Sequence, residues 1–252
     1  MVPKVFLIGG GWRAEFFPET YGRFLEAAGR GGERRIAIIV AEEEGADPHV
    51  QFWRFFEAFA AVGLKTAETE KVIVSAENAL TKKSLAEIKP TGVFVCGGLT
   101  PAYFESLCLE KSWLEYLSEN RLPYCGFSAG AAIASKKAVI GGWRRDFGGR
   151  LVQIADENAG EDLDLLTVEN GLGLVDFSVD VYAAQWGTLS RLAHAIDARF
   201  ADEGWAIDED TMLEADVGGK IEIFGAGSAY RIRRSDGRCE LEIFQAELLS
   251  NG

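Results

Sequence analysis

Histidine is almost missing from this chain, with two in 252 residues. A histidine-rich metal centre is therefore close to excluded. Cysteine is scarce too: Cys96, Cys108, Cys125 and Cys239 show no pairing or metal-ligand spacing, and reduced, buried thiols are expected. No metal and no organic cofactor is expected. Long apolar runs are absent, none approaching the ~20 residues of a membrane span. A basic stripe is absent as well. The net charge is −13, from 39 acidic and 26 basic residues. Nothing in that balance neutralises phosphates, so neither nucleic acid nor an anionic membrane is expected as a partner. No small-residue cleavage site follows the first apolar run, and a cytoplasmic protein is expected.

What is present is an ordinary globular composition, 48% hydrophobic and 26% charged, in a length suited to one α/β domain covering 1–252. Short apolar runs alternate with helical patterns through the first 135 residues. Strands are expected at Val5–Ile8, Arg35–Ala41, Val72–Ser75, Gly92–Cys96 and Tyr124–Phe127. Asp47-Pro48 supplies an N-cap and a first-turn proline for a helix whose Phe52, Phe55, Phe56 and Phe59 share one face. Further helices are expected at Ser84–Ile88, about Pro101–Leu117, and Ala129–Ser135. Near-continuous apolar strands alternating with helices indicate a doubly wound, mostly parallel, flavodoxin-like sheet. Ligands bind such sheets at the C-terminal ends of the strands.

The second half is more mixed. The acidic run Asp156–Asp164 is expected to be exposed. Leu189, Leu192, Ala193, Ile196 and Phe200 line one helical face. From Trp205 to Phe244, short strands with glycine turns indicate antiparallel additions near the C-terminus.

Gly126-Phe127-Ser128-Ala129-Gly130 is a G-x-S-x-G pentapeptide. Glycines flank such a serine because strand and helix backbones nearly touch at the turn. The hydroxyl then projects outward, and the next N–H points at a developing oxyanion. A tight turn without chemistry carries the same pattern. Here, though, an expected strand precedes it and a small-residue helix follows. Gly97-Gly98-Leu99-Thr100 ends the neighbouring strand. It is either a plain turn or the source of a second oxyanion donor.

These segments resemble the cyanophycinase and dipeptidase E (aspartyl dipeptidase) family of serine peptidases, a class I glutamine amidotransferase-like fold. The resemblance rests on LIGGG at Leu7–Gly11, VFVCGGLT at Val93–Thr100 and CGFSAGA at Cys125–Ala131. It continues with GLGLVDFSVD at Gly171–Asp180, IDEDT at Ile207–Thr211 and GAGSAY at Gly225–Tyr230. It implies Ser128 as nucleophile, Ala129 and Gly98 as oxyanion donors, and Gly97, Leu99 and Thr100 on the substrate side. The implied substrate is a small peptide or isopeptide bearing aspartyl groups, and a homodimer is suggested. Leu99 departs from the polar pair of cyanophycinases, which counts against their arginine-bearing substrate. A glutamine amidotransferase is disfavoured, because Cys125 lies three residues early, inside the strand.

The larger departure is the base. Where the family carries its histidine, this chain carries Tyr182, and Asp146 is the nearest match to the acid that orients it. A phenol with a pKa near 10 is only ~0.1% ionised at pH 7, and lowering it by three units would take roughly 4 kcal/mol. The two histidines are poor substitutes. His49 is expected as an exposed first-turn residue, and His194 lies about 140° from the apolar face of its helix. Asp180 is either an acid behind the site or a turn cap, and Trp186 either walls a pocket or packs in the core. Two readings follow. One is a serine hydrolase impaired at the base; the other is a catalytically silent relative that binds a small ligand or a protein partner in the same cleft.

Overall fold

The computed structural model describes residues 2–29 and 32–246. Five parallel strands form its centre: β1 (Lys4–Ile8), β2 (Ile36–Ala41), β3 (Thr69–Val74), β4 (Gly92–Val95) and β5 (Tyr124–Phe127). The helices between them are α1 (Arg23–Ala28), α2 (Pro48–Ala61), α3 (Lys82–Ile88), α4 (Thr100–Cys108) and α5 (Ser112–Asn120), and α6 (Ala129–Ile133) follows β5. Beyond them come β6 (Lys137–Gly141), β7 (Arg144–Asp146), β8 (Leu151–Gln153), β9 (Thr167–Asn170) and β10 (Ser178–Val181), then α7 (Thr188–Asp197). The chain closes with β11 (Glu203–Ile207), β12 (Thr211–Asp216), β13 (Ile221–Gly225), β14 (Ser228–Ser235) and β15 (Arg238–Gln245).

The main sheet runs β13-β12-β1-β5-β4-β2-β3, with β12 antiparallel to both its neighbours, β1 and β13. A second sheet, β10-β11-β14-β15, carries the other C-terminal strands. The α/β class, the mostly parallel sheet and the antiparallel C-terminal additions are as the sequence pattern implies. Both faces of the sheet are covered. Phe127 meets Phe55 of α2 at 5.0 Å between ring centroids, while Tyr124, three residues earlier on the same strand, faces Trp113 of α5 at 6.4 Å. Odd spacing on one strand sends the two rings to opposite faces. Phe52, Phe55 and Phe59 are buried as their spacing implies, and the Asp47 side chain accepts the His49 N–H.

Three expectations are corrected, the second in part. The single helix over Pro101–Leu117 is two, α4 and α5. Glu110 Oε1 accepts the Ser112 N–H at 2.6 Å, and Lys111 turns away to the Gly171 carbonyl at 2.5 Å. Buried Trp113 donates its indole N–H to the Leu107 carbonyl at 3.2 Å, so the break occurs where side chains satisfy the helix ends. The run Asp156–Asp164 is exposed at Asp156, Glu157, Asn158, Asp162 and Asp164 as expected, but it is anchored at its middle, where Ala159 and Gly160 are buried, and it lines a cleft. Phe200 lies beyond the end of α7 and is exposed.

Candidate active site

The strand β5 passes directly into α6, and Ser128 stands at the bend with φ 50° and ψ −110°. A left-handed serine costs roughly 1–2 kcal/mol, so the surrounding backbone must hold it. Its N–H is bonded to the Ile8 carbonyl at 2.9 Å. A Cβ on Gly126 would overlap the Gly130 carbonyl, and one on Gly130 would overlap the Val95 carbonyl. The two glycines therefore let strand and helix meet at van der Waals distance, which throws the intervening serine outward. On Gly97 a Cβ would lie 2.9 Å from the Ser128 Cβ. The glycine pair that ends β4 is thus the immediate neighbour of the serine.

Ser128 is only 5% exposed, yet it lines the floor of an open cleft of about 990 Å³ at the C-terminal ends of the parallel strands. Gly97, Gly98 and Leu99 line it as well, while Ala129, the first residue of α6, lies buried behind. Thr100 does not line the cleft. It is buried at the start of α4, and its N–H is held by Glu161 Oε2 at 2.9 Å. The Leu99 N–H is likewise held, by Glu43 Oε2 at 2.6 Å.

Tyr182 follows β10 in a left-handed conformation, φ 57°, and its phenol faces the Ser128 hydroxyl. The ring stacks on Trp186 at 4.4 Å with 13° between planes, and on its other side Gly10 leaves no room for a Cβ. Burial pushes the Tyr182 phenol above its ordinary range; the Ser128 hydroxyl pulls the other way, and Glu209 and Glu161 push it further up. The phenol is therefore neutral at neutral pH. Trp186 lines the cleft rather than the core.

The rim pairs aromatic rings with guanidinium groups. Arg54 lies 3.9 Å over Trp12, and Arg144 lies 3.6 Å over Trp143 and 3.2 Å from Asp164. Against these two cations stand Glu43, Glu157, Glu161, Asp162 and Asp164. Burial raises the Glu161 carboxyl above the usual range, opposed by the Thr100 amide and by Arg191. Among the described residues no group of three or more His, Cys, Asp or Glu is placed to hold a metal ion, and no helix is long and apolar enough to cross a membrane.

No protein-family model matches the chain. It is 24% identical over 207 residues to a cyanophycinase from Nostoc sp. (strain PCC 7120 / SAG 25.82 / UTEX 2576), a match covering 79% of this chain and 64% of that protein. The chain thus spans less than two thirds of the length of that relative. Its fold is similar to that of a peptidase from an acI-B1 Actinobacterium, with a TM-score of 0.66 at 16% identity over 98% of this chain and 95% of that one. It is also similar to a putative peptidase E protein from Listeria monocytogenes EGD-e, with a TM-score of 0.59 at 18% identity over 90% and 100% of the two chains. The chain is thus similar in sequence to a cyanophycinase and similar in fold to two proteins described as peptidases.

Tyr182 stands against the serine at the position where the resemblance to cyanophycinases and dipeptidase E expects histidine. Neither histidine takes its place. His49 is exposed at the start of α2, 2.9 Å from the Lys71 ammonium. His194 is half-buried rather than fully solvated, because the Arg145 side chain lies across it at 3.3 Å and Phe147 packs edge-on. Burial and that guanidinium hold its pKa below the ordinary value. Asp146 is not the orienting acid. It is exposed in the hairpin between β7 and β8 and accepts the Gly149 N–H at 2.6 Å, which is a turn-capping role. Asp180 does not cap a turn; it is 1% exposed and paired with Arg191. The carboxylate that the sequence reading missed is Glu209. It is half-buried, its charge acts on Tyr182, and its own pKa is raised by burial and by Asp210. It sits inside IDEDT, so the signal lay in a segment already singled out.

Proposed function

We propose that the chain is a serine-type hydrolase of the cyanophycinase-like peptidase kind, working slowly because a neutral tyrosine faces its nucleophile. The observation that carries this reading is the left-handed Ser128, set on the floor of the cleft beside Gly97. A strained serine at the C-terminal end of a central strand is stabilising for nothing in the fold and useful for attack. Ser128 Oγ would attack an amide carbonyl, with the N–H groups of Ala129 and Gly98 holding the oxyanion. The amine then leaves with a proton, and water releases the acyl group from Ser128. A neutral phenol oxygen is a weak proton acceptor. Loss of the histidine base typically costs on the order of 10⁴–10⁶ in rate.

By resemblance, the substrate is a small peptide or isopeptide bearing an aspartyl group. The lining supports a small zwitterion: Arg54 and Arg144 can meet a carboxylate, and the more numerous acids can meet an amino group. Labelling with a fluorophosphonate tests the nucleophile. Wild type should be modified and Ser128→Ala should not; a wild type that resists the reagent would remove this reading.

The raised phenol of Tyr182 favours a second reading, in which the protein binds a small ligand or a partner in the same cleft without turnover. Efficient hydrolysis of aspartyl peptides by the wild type would exclude it.

A further inference from the structure

Arg191 is the one buried cation among the described residues, 3% exposed on α7. Its guanidinium takes both oxygens of Asp180, Nε to Oδ2 at 2.8 Å and Nη2 to Oδ1 at 2.6 Å. Asp180 is on β10, two residues before Tyr182. The remaining nitrogen, Nη1, reaches out of the pair to the Ala159 carbonyl and, at 3.5 Å, to that of Gly142.

Those carbonyls belong to the acidic side of the cleft. After Ala159 and Gly160 the chain turns through Glu161 and Asp162, both left-handed at φ 56° and 59°. L side chains rarely adopt that conformation, and two in succession need holding from outside. Arg191 holds the turn from beneath through Ala159. From across the cleft, the Thr100 N–H takes the Glu161 carboxylate.

A buried ion pair contributes little that two apolar side chains of the same volume would not. What an apolar pair lacks is the third, directional hydrogen bond. With both Asp180 oxygens committed to Nε and Nη2, the free edge of the guanidinium is aimed at the turn. We propose that Arg191 is a positioning residue for the cleft: through the Ala159 carbonyl it holds the turn that sets Glu161 on the Thr100 amide, and so fixes the wall facing Ser128. Asp180 and Tyr182 share one strand end, so the serine side and the acidic side are braced by one charge pair. The inference rests on the reading that this cleft is the working site.

Hydrogen exchange and steady-state kinetics on the whole chain test it. The double variant Asp180→Leu/Arg191→Met keeps an apolar pair in place of the charges and removes the directed bonds to Ala159 and Gly142, together with the Val181 N–H bond to Asp180. Amides of Thr100, Ala159 and Leu163 should exchange at least about tenfold faster than in wild type, while the Ser128 amide keeps its protection. For any peptide the wild type hydrolyses, KM should rise about fivefold or more with kcat within about twofold. Wild-type exchange at those three amides in the folded double variant would overturn the proposal. Glu161→Ala carries the test if the double variant does not fold. Thr100 should then open while Ala159 and Leu163 stay protected by Arg191; simultaneous opening of all three would show the turn hangs on Glu161 and overturn the proposal. Absence of Ser128 labelling in wild type would remove the hydrolase reading alone and leave the exchange result to stand or fall by itself.

Discussion

The Tyr182 phenol faces the hydroxyl of Ser128 across the floor of the cleft, and burial keeps that phenol protonated at neutral pH. In the proposed reaction the nucleophile is geometrically prepared, but the phenol facing it barely accepts a proton and is a poor base.

Replacing that group should restore a base. Tyr182→His is expected to raise fluorophosphonate labelling of Ser128 by about 10²–10⁴ at neutral pH, the usual contribution of a positioned base. Adding Glu209→Gln to this variant should take back about tenfold or more of the gain, because Glu209 acts on residue 182 more strongly than Glu161, the other carboxylate whose charge reaches it. Labelling rates on the three proteins measure this, and no gain in Tyr182→His would show that position 182 does not limit the wild type.

Strain at the elbow is expected to appear as a difference between two inactive variants. Ser128→Gly and Ser128→Ala both lose the hydroxyl, but only glycine is at ease at φ 50°. The glycine variant should be the more stable by about 1 kcal/mol in denaturant unfolding. Equal midpoints would mean the bend relaxes when alanine is introduced.

Gly97→Ala probes the spacing between β4 and the elbow. The added methyl would meet the Phe127 Cδ1 at 2.8 Å and the Ser128 Cβ at 2.9 Å. A cost of about 1–3 kcal/mol is expected from overpacking. Labelling at Ser128 should fall steeply in the folded variant, and unchanged labelling would show that the glycine pair does not shape the site.

Alkali should unfold the protein through its tyrosines. Burial pushes Tyr21, Tyr103 and Tyr124 well above the ordinary phenol value, and Tyr182 above it. A group with a folded pKa above its unfolded one contributes stability that is fully present below the unfolded value, about 10, and is lost as pH rises through the folded one. Stability is therefore expected to hold to about pH 10 and then decline, with tyrosinate absorbance rising late and together with unfolding. Ordinary titration of these four phenols in a still-folded protein would contradict the burial described above.

The elbow was legible in the sequence because its requirements are local. Two glycines, a serine and the strand and helix on either side lie within a few residues, and the Gly97-Gly98 pair ends the next strand in the sheet. The α/β class followed for the same reason, since strand and helix periods are short. What escaped the sequence depends on segments far apart in the chain meeting in space. The acidic run 156–164 has the composition of a solvated loop, and it lines a cleft because distant segments hold it: Arg191 at the Ala159 carbonyl, Thr100 at Glu161 and the Gly142 amide at the Gly160 carbonyl. Arg191 itself sits among the apolar positions of α7, where a charge is explained only by Asp180 on β10.

Local chemistry along the chain thus determined the strands, the bend at residue 128 and the missing histidine. Tertiary contact decided the rest. It placed Tyr182 over Ser128, sent Asp146 to a surface turn, and put Glu209 within electrostatic reach of the phenol. The physical reason is that backbone geometry is set by neighbours in sequence, whereas protonation and the pairing of charges are set by neighbours in space.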